Sequence, residues 1–164
     1  MRKRVMCVRT SLLREGSVLY EGIDGNRSIC SAKEAANFAA PFFCGADKEI
    51  LYVCVLDGKN EPICMEMVAK GGANKCLVDV SQVFKTAILT NGTGIICYHN
   101  HPSGSINPSK DDELVTQRLK AAGELLGIPL VDHIVLGENG SYYSFREQAG
   151  DFWQEQKGEE MDYE

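Results

Sequence analysis

The run Tyr98-His99-Asn100-His101-Pro102-Ser103-Gly104-Ser105-Ile106-Asn107-Pro108-Ser109-Lys110-Asp111-Asp112 carries two histidines separated by one residue, followed by Ser-x-x-Asp. The apolar segment Gly94 to Tyr98 that leads into it reads as a β-strand, in which side chains repeat every second residue. His99 and His101 are therefore expected on one face of a strand end, where two imidazoles converge on one ion. Ser109 follows Pro108 and opens a long amphipathic segment, so it is a natural N-cap that puts Asp112 in the first turn of a helix. Its carboxylate supplies a third ligand. Asp111 lies about 100° around the helix from Asp112, on the side expected to face solvent.

Two histidines, one carboxylate and a position left to water form the pattern of a catalytic zinc site rather than a closed structural one. Zinc lowers the pKa of a bound water to about 7 and polarises a carbonyl, so a nucleophile exists at neutral pH when a nearby base can exchange its proton. This donor set favours zinc among divalent ions.

His-x-His, seven residues, then Ser-x-x-Asp resembles the signature of the JAMM (MPN/JAB) metallopeptidases, and the fuller run through His99-Asn100-His101-Pro102-Ser103-Gly104 and Pro108-Ser109 resembles its RadC branch. Matches continue on both sides: Leu56-Asp57 and Gly71 before the motif, Leu125-Leu126-Gly127-Ile128 and Asp132-His133-Ile134-Val135-Leu136-Gly137 after it. The resemblance covers roughly residues 30 to 150. It implies one zinc ion on His99, His101 and Asp112, Ser109 as stabiliser of a tetrahedral oxyanion, and an upstream glutamate as general base. Glu66 is the choice for that base, five residues before Gly71 in the apolar run Pro62 to Ala69, where the RadC pattern shows an acidic residue. The competitor, Glu61, follows the turn-like Asp57-Gly58-Lys59-Asn60 and is expected in a solvated loop.

Other residues near the motif have plainer readings. His133 lies in the strand-like Leu130 to Leu136 and is read as structural or as supporting the ligands, with Asp132 on the opposite face. Asn100 and Ser103 either shape substrate access or serve the backbone, and Gly104 fits a position of unusual backbone angles. Cys97 shares a strand face with the two histidines, which makes it a candidate redox-sensitive thiol.

The chain of 164 residues with 44% hydrophobic content suits one domain with its own core. No apolar run reaches membrane-spanning length and no leader-like segment opens the chain, so a cytoplasmic protein is expected. Seven cysteines without a Cys-x-x-Cys pair match neither a secreted disulfide framework nor a zinc ribbon, and read as reduced thiols. The first 14 residues hold five basic groups and no acid, whereas residues 154–164 hold five acids against Lys157, and residues 151–164 read as an acidic, mobile tail. Between these ends, residues 15–153 carry a net charge of −7, a poor surface for a phosphate backbone.

Ser31 to Phe43 opens with the Ser-x-x-Glu capping box and meets Pro41, which kinks or ends the helix. Ile50 to Leu56 and Pro62 to Ala69 form a hairpin, with Glu66 on its second strand. In Asp79 to Thr90 the residues Val80, Val83, Phe84, Ala87 and Ile88 line one helical face, stopped by Asn91-Gly92. Val115, Leu119, Ala122 and Leu126 stripe the helix after Ser109, which Pro129 blocks. Leu130 to Leu136 and Ser141 to Phe145 form a second hairpin. The result is an α/β protein, a mixed sheet with flanking helices. By resemblance it is the MPN/JAB fold, a cytidine-deaminase-like three-layer arrangement over residues 31–150. Residues 1–30 are expected to add strands around Val5 and Val18, in place of the helix-hairpin-helix region common in RadC-type proteins.

The expected activity is zinc-dependent hydrolysis of a peptide or isopeptide bond in a protein or peptide substrate. The alternative is a non-catalytic accessory module associated with DNA repair, its metal site structural or vestigial. Nucleic acid is a weakly supported partner, and no membrane partner is expected. Zinc-dependent deamination is excluded, because it needs His-x-Glu and Pro-Cys-x-x-Cys and the chain has neither.

Overall fold

The structure is a computed structural model that describes residues 12–17, 27–71, 78–150 and 153. The expected strands around Val5 and Val18, and the acidic tail apart from Trp153, lie outside the described residues. Helix α1 (Ala32–Ala39) starts where the sequence says: the Ser31 hydroxyl accepts from Glu34 N, and the Glu34 carboxylate accepts from the main-chain N–H of Ser31 and of Cys30. Pro41 ends it, and the chain tightens into a 3-10 turn over Ala40–Phe43.

Five strands follow among the described residues: β1 (Ile50–Leu56), β2 (Pro62–Lys70), β3 (Gly94–Asn100), β4 (Leu130–Leu136) and β5 (Tyr142–Ser144), in the spatial order β2-β1-β3-β4-β5. β3 sits at the centre, antiparallel to β1 and parallel to β4. Every one of its residues is buried, as expected for a strand covered on both faces. Helix α2 (Val80–Thr90) is capped by Asp79 and stopped by Asn91 in the left-handed conformation. Helix α3 (Lys110–Leu126) makes the crossover from β3 to the parallel β4 and ends at the left-handed Gly127. A last turn, α4 (Phe145–Gln148), is capped by Ser144.

Two cores separate the layers, so the mixed sheet lies between helices on both faces. One packs α1 against Cys54, Leu56, Ile96, Tyr98, Ile134 and Leu136. The other packs Val83, Phe84 and Ala87 of α2 and Leu119 of α3 against Leu51, Val53, Val55, Ile95 and Cys97. Two details differ from the periodicity reading. Ile88, expected on the core face of α2, is exposed, and Thr86 is buried in its stead. On α3 the fully buried stripe is Thr116, Leu119 and Gly123, while Leu126 is exposed. The reason is close contact: a Cβ at Gly123 would stand 2.7 Å from the Ile128 carbonyl oxygen and 3.1 Å from Leu130 N, so only glycine lets α3 lie that near the start of β4. Among the described residues no helix is long and apolar enough to cross a membrane.

Asp132 points away from His133, as expected, and fastens β5 and α4 to the sheet. Its carboxylate accepts from the Ser144 hydroxyl at 2.7 Å, from His133 N at 2.7 Å and from Arg146 N at 3.1 Å. Burial pushes the carboxyl up to about 6 against the pull of those donors. An unfolded Asp titrates near 4, so between about pH 4 and 6 the folded state holds a proton that the unfolded chain has released. Stability from this group therefore falls as pH rises through that window, by up to about 3 kcal/mol, and is level above it. Asp132→Asn keeps an acceptor for the two N–H groups and is expected to flatten the pH 4–6 slope in urea unfolding. Asp132→Ala leaves both N–H groups unpaired and is expected to cost about 2–4 kcal/mol. An unchanged pH profile in the Asn variant contradicts this assignment.

Candidate metal centre

The site forms where β3 runs out. The Asn100 side chain accepts from Ile50 N at 2.9 Å and donates to Lys48 O at 3.1 Å, so it ties the end of β3 to the start of β1 and serves the backbone. His101 begins the connecting loop, which turns at Gly104 (φ 72°) with Gly104 N donating to His101 O. The loop closes on Ser109 at the start of α3. There the Ser109 hydroxyl accepts from Asp112 N at 3.2 Å, and the Asp112 carboxylate accepts from Ser109 N at 2.6 Å. This capping box uses aspartate in place of glutamate. The shorter side chain is turned back over the helix start, toward the histidines.

There the three side chains meet. His99 Nε2 lies 3.1 Å from His101 Nε2, and Asp112 reaches them with Oδ1 3.3 Å from His99 Nε2 and Oδ2 3.4 Å from His101 Nε2. The three ligand atoms all fall within 4.8 Å of one another. His101 Nδ1 donates to the Ser105 carbonyl oxygen at 2.8 Å, so Nε2 is the ring nitrogen available to an ion, and it faces inward. His99 forms the buried floor, and His101 and Asp112 retain solvent exposure at the rim. Burial alone raises the Asp112 carboxyl, but the His99 ring and the Ser109 donors outweigh it and hold the group well below the usual carboxylate range. Two imidazole nitrogens and an ionised carboxylate packed this closely fit a divalent cation such as zinc, with a side open to water.

Ser109 has the capping role expected of it, and its hydroxyl also donates to Asp112 Oδ2 at 2.6 Å. Glu66 stands outside the three-residue cluster. It pairs with Val53 on β1, which pairs with Cys97 on β3, so it occupies the same sheet face as His99. The Thr86 hydroxyl of α2 donates to its carboxylate. Glu61 belongs to the far end of the sheet: its hairpin follows Leu56, which pairs with Gly94 at the start of β3, whereas His99 pairs with Leu51. Cys97 corrects an expectation. It is fully buried, and burial, then the charge of Asp132, pushes its thiol up, so it stays protonated and closed to oxidants.

His133 is not one of the cluster, yet it touches the site. Its ring stacks on Phe145 and its Nε2 lies 2.9 Å from His99 Nδ1. Burial and the neighbouring His99 push its pKa well down, so the ring is neutral. Thr116, which no motif reading picked out, lies 2.7 Å from His133 Nδ1. One signal existed: a hydroxyl four residues after Asp112, on the buried side of an otherwise apolar stripe.

A mixed sheet between two helical layers, with a histidine pair at the end of its central strand and an aspartate opening the next helix, defines a three-layer α/β domain with a metal-type site. The family model of the RadC-like JAB domain matches residues 29–150, and the chain belongs to that family. It is 46% identical over 103 residues to a UPF0758 protein of Thermotoga maritima, covering 63% of this chain and 46% of that protein. Over 121 residues it is 40% identical to one of Symbiobacterium thermophilum, covering 74% of this chain and 51% of the relative. A third, of Finegoldia magna, is 35% identical over 150 residues, covering 85% of this chain and 67% of the relative. The chain thus spans about half the length of the first two relatives.

An ion that binds the folded cluster and not the unfolded chain stabilises the fold, by about 2.7 kcal/mol at a hundredfold excess over Kd. Added zinc is expected to raise the melting temperature of chelator-treated protein, and His101→Ala is expected to abolish that rise. Calorimetric scans with and without zinc check this; an equal rise in the variant contradicts the ligand assignment.

Proposed function

We propose that the domain is a zinc-dependent hydrolase that cleaves a peptide or isopeptide bond with a metal-activated water, the JAMM-type mechanism. The observation that carries this reading is the convergence of His99, His101 and Asp112 with a rim open to solvent. Membership of the RadC-like JAB family supports it. Zinc, when bound, supplies a water of pKa about 7 and polarises the scissile carbonyl.

The remaining work falls to the chain's own groups. Glu66 takes the proton of the attacking water and delivers it to the leaving amine, the exchange a general base must perform. Its place on the sheet face shared with His99 supports this role over Glu61, and the Thr86 hydroxyl restrains its carboxylate. Ser109 holds the developing oxyanion. Its hydroxyl turns from Asp112 Oδ2 to the substrate oxygen for that step, while its main-chain N–H keeps Asp112 in place. An oxyanion donor of this kind contributes about 3 kcal/mol. The substrate is a protein or peptide, since the net charge of −7 over residues 15–153 opposes a nucleic-acid backbone.

Glu66→Gln is expected to keep stoichiometric zinc and to lose about 10²–10⁴-fold in turnover. Metal analysis paired with a screen of peptide and isopeptide substrates checks both halves. A zinc-loaded Glu66→Gln protein as active as the wild type removes the base assignment, and a zinc-loaded wild type that cleaves no substrate in the screen removes the hydrolase reading.

A further inference from the structure

The hydrogen bonds behind His99 run in one direction. Thr116 on α3 is fully buried, and its hydroxyl oxygen lies 2.6 Å from the main-chain carbonyl oxygen of Asp112. A carbonyl oxygen only accepts, so the single hydroxyl proton of Thr116 occupies that bond. The same hydroxyl is 2.7 Å from His133 Nδ1 and must accept there, so Nδ1 carries a hydrogen. The ring nitrogens of the buried His133 bond to Thr116 and His99, neither of them an anion, and a neutral ring has one N–H. Its Nε2 is therefore an acceptor, and His99 Nδ1, 2.9 Å away, donates to it. That leaves the lone pair of His99 on Nε2, the atom that faces His101 and Asp112.

We propose that Thr116 and His133 are positioning residues that lock His99 in the tautomer whose Nε2 lone pair faces the metal site. The chain is anchored on the carbonyl of Asp112, so one residue presents a ligand through its carboxylate and orients a second ligand through its main chain. The reverse order is closed. A Thr116 proton given to His133 would place a hydrogen on His99 Nε2, where no ion could bind, and would leave two oxygens 2.6 Å apart with nothing between them. Water cannot relieve that arrangement, because Thr116, His133 and His99 are all buried. The inference rests on the metal-site part of the proposed function and not on hydrolysis.

Two measurements test it. In metal-free wild-type protein labelled with 15N-histidine, long-range 1H–15N correlation spectra of the three histidines are expected to show His99 protonated at Nδ1. Zinc affinity, read by competition with a chelating indicator, is expected to fall about 10–100-fold in Thr116→Val and to return close to wild type in Thr116→Ser. A merely structural hydroxyl would alter the melting temperature without moving the tautomer or being rescued in affinity by serine. His99 protonated at Nε2, or a folded Thr116→Val that binds zinc as the wild type does, overturns the proposal. If Thr116→Val does not fold, the wild-type spectrum decides alone. Normal zinc binding and the stated tautomer in a protein that cleaves nothing would overturn the hydrolase reading and leave this one standing.

Discussion

Two imidazole nitrogens with inward lone pairs, held 3.1 Å apart beside an ionised carboxylate, repel one another unless a cation lies among them. The fold enforces that crowding from three directions. The central strand β3 fixes His99 on the buried floor, with Leu51 on one side and Val135 on the other. The loop through Gly104 folds His101 back onto its own Ser105 carbonyl. The capping box at Ser109 turns Asp112 toward both histidines. Each of these restraints is a contact within the chain itself.

These restraints make backbone features serve the site. Ser109 starts α3 and also holds the Asp112 carboxylate, so the helix cap and the orientation of the ligand are a single arrangement. Gly123 lets α3 approach the start of β4 closely, and Thr116, on the same buried stripe, reaches His133. Asp132, on the opposite face of β4, binds the turn that carries Phe145, whose ring stacks on His133. The chain from Asp132 to His99 thus crosses the sheet in two residues.

Much of this was legible in the sequence. The spacing of His99, His101 and Asp112, the serine cap, the capping box at Ser31, the two hairpins and the solvent-facing Asp111 all depend on local periodicity, which a single chain displays. Thr86 was not legible, and Thr116 showed only as a hydroxyl four residues after Asp112. A threonine in a helical stripe reads as a tolerated polar residue until the strand beneath it supplies His133 or Glu66, and that pairing depends on register between distant segments. The exposure of Ile88 and Leu126 was hidden as well, and on α3 the close approach at Gly123 to the start of β4 is a contact between segments that the apolar pattern does not display. Cys97 shares a strand parity with the histidines, but depth decides its chemistry: the ligands stand at the strand end and the thiol lies beneath them in the core.

The RadC-like JAB family supplies the frame for this site, and the chain spans about half the length of the first curated relatives it matches. The central claim is about atoms: nitrogen from two histidines and oxygen from one aspartate hold an ion in a chain that also contains seven cysteines. X-ray absorption at the zinc edge of zinc-loaded protein reads those atoms directly. The account predicts a first shell of nitrogen and oxygen with two imidazole scattering patterns and no sulfur. Sulfur in that shell, or the absence of imidazole scattering, would contradict it.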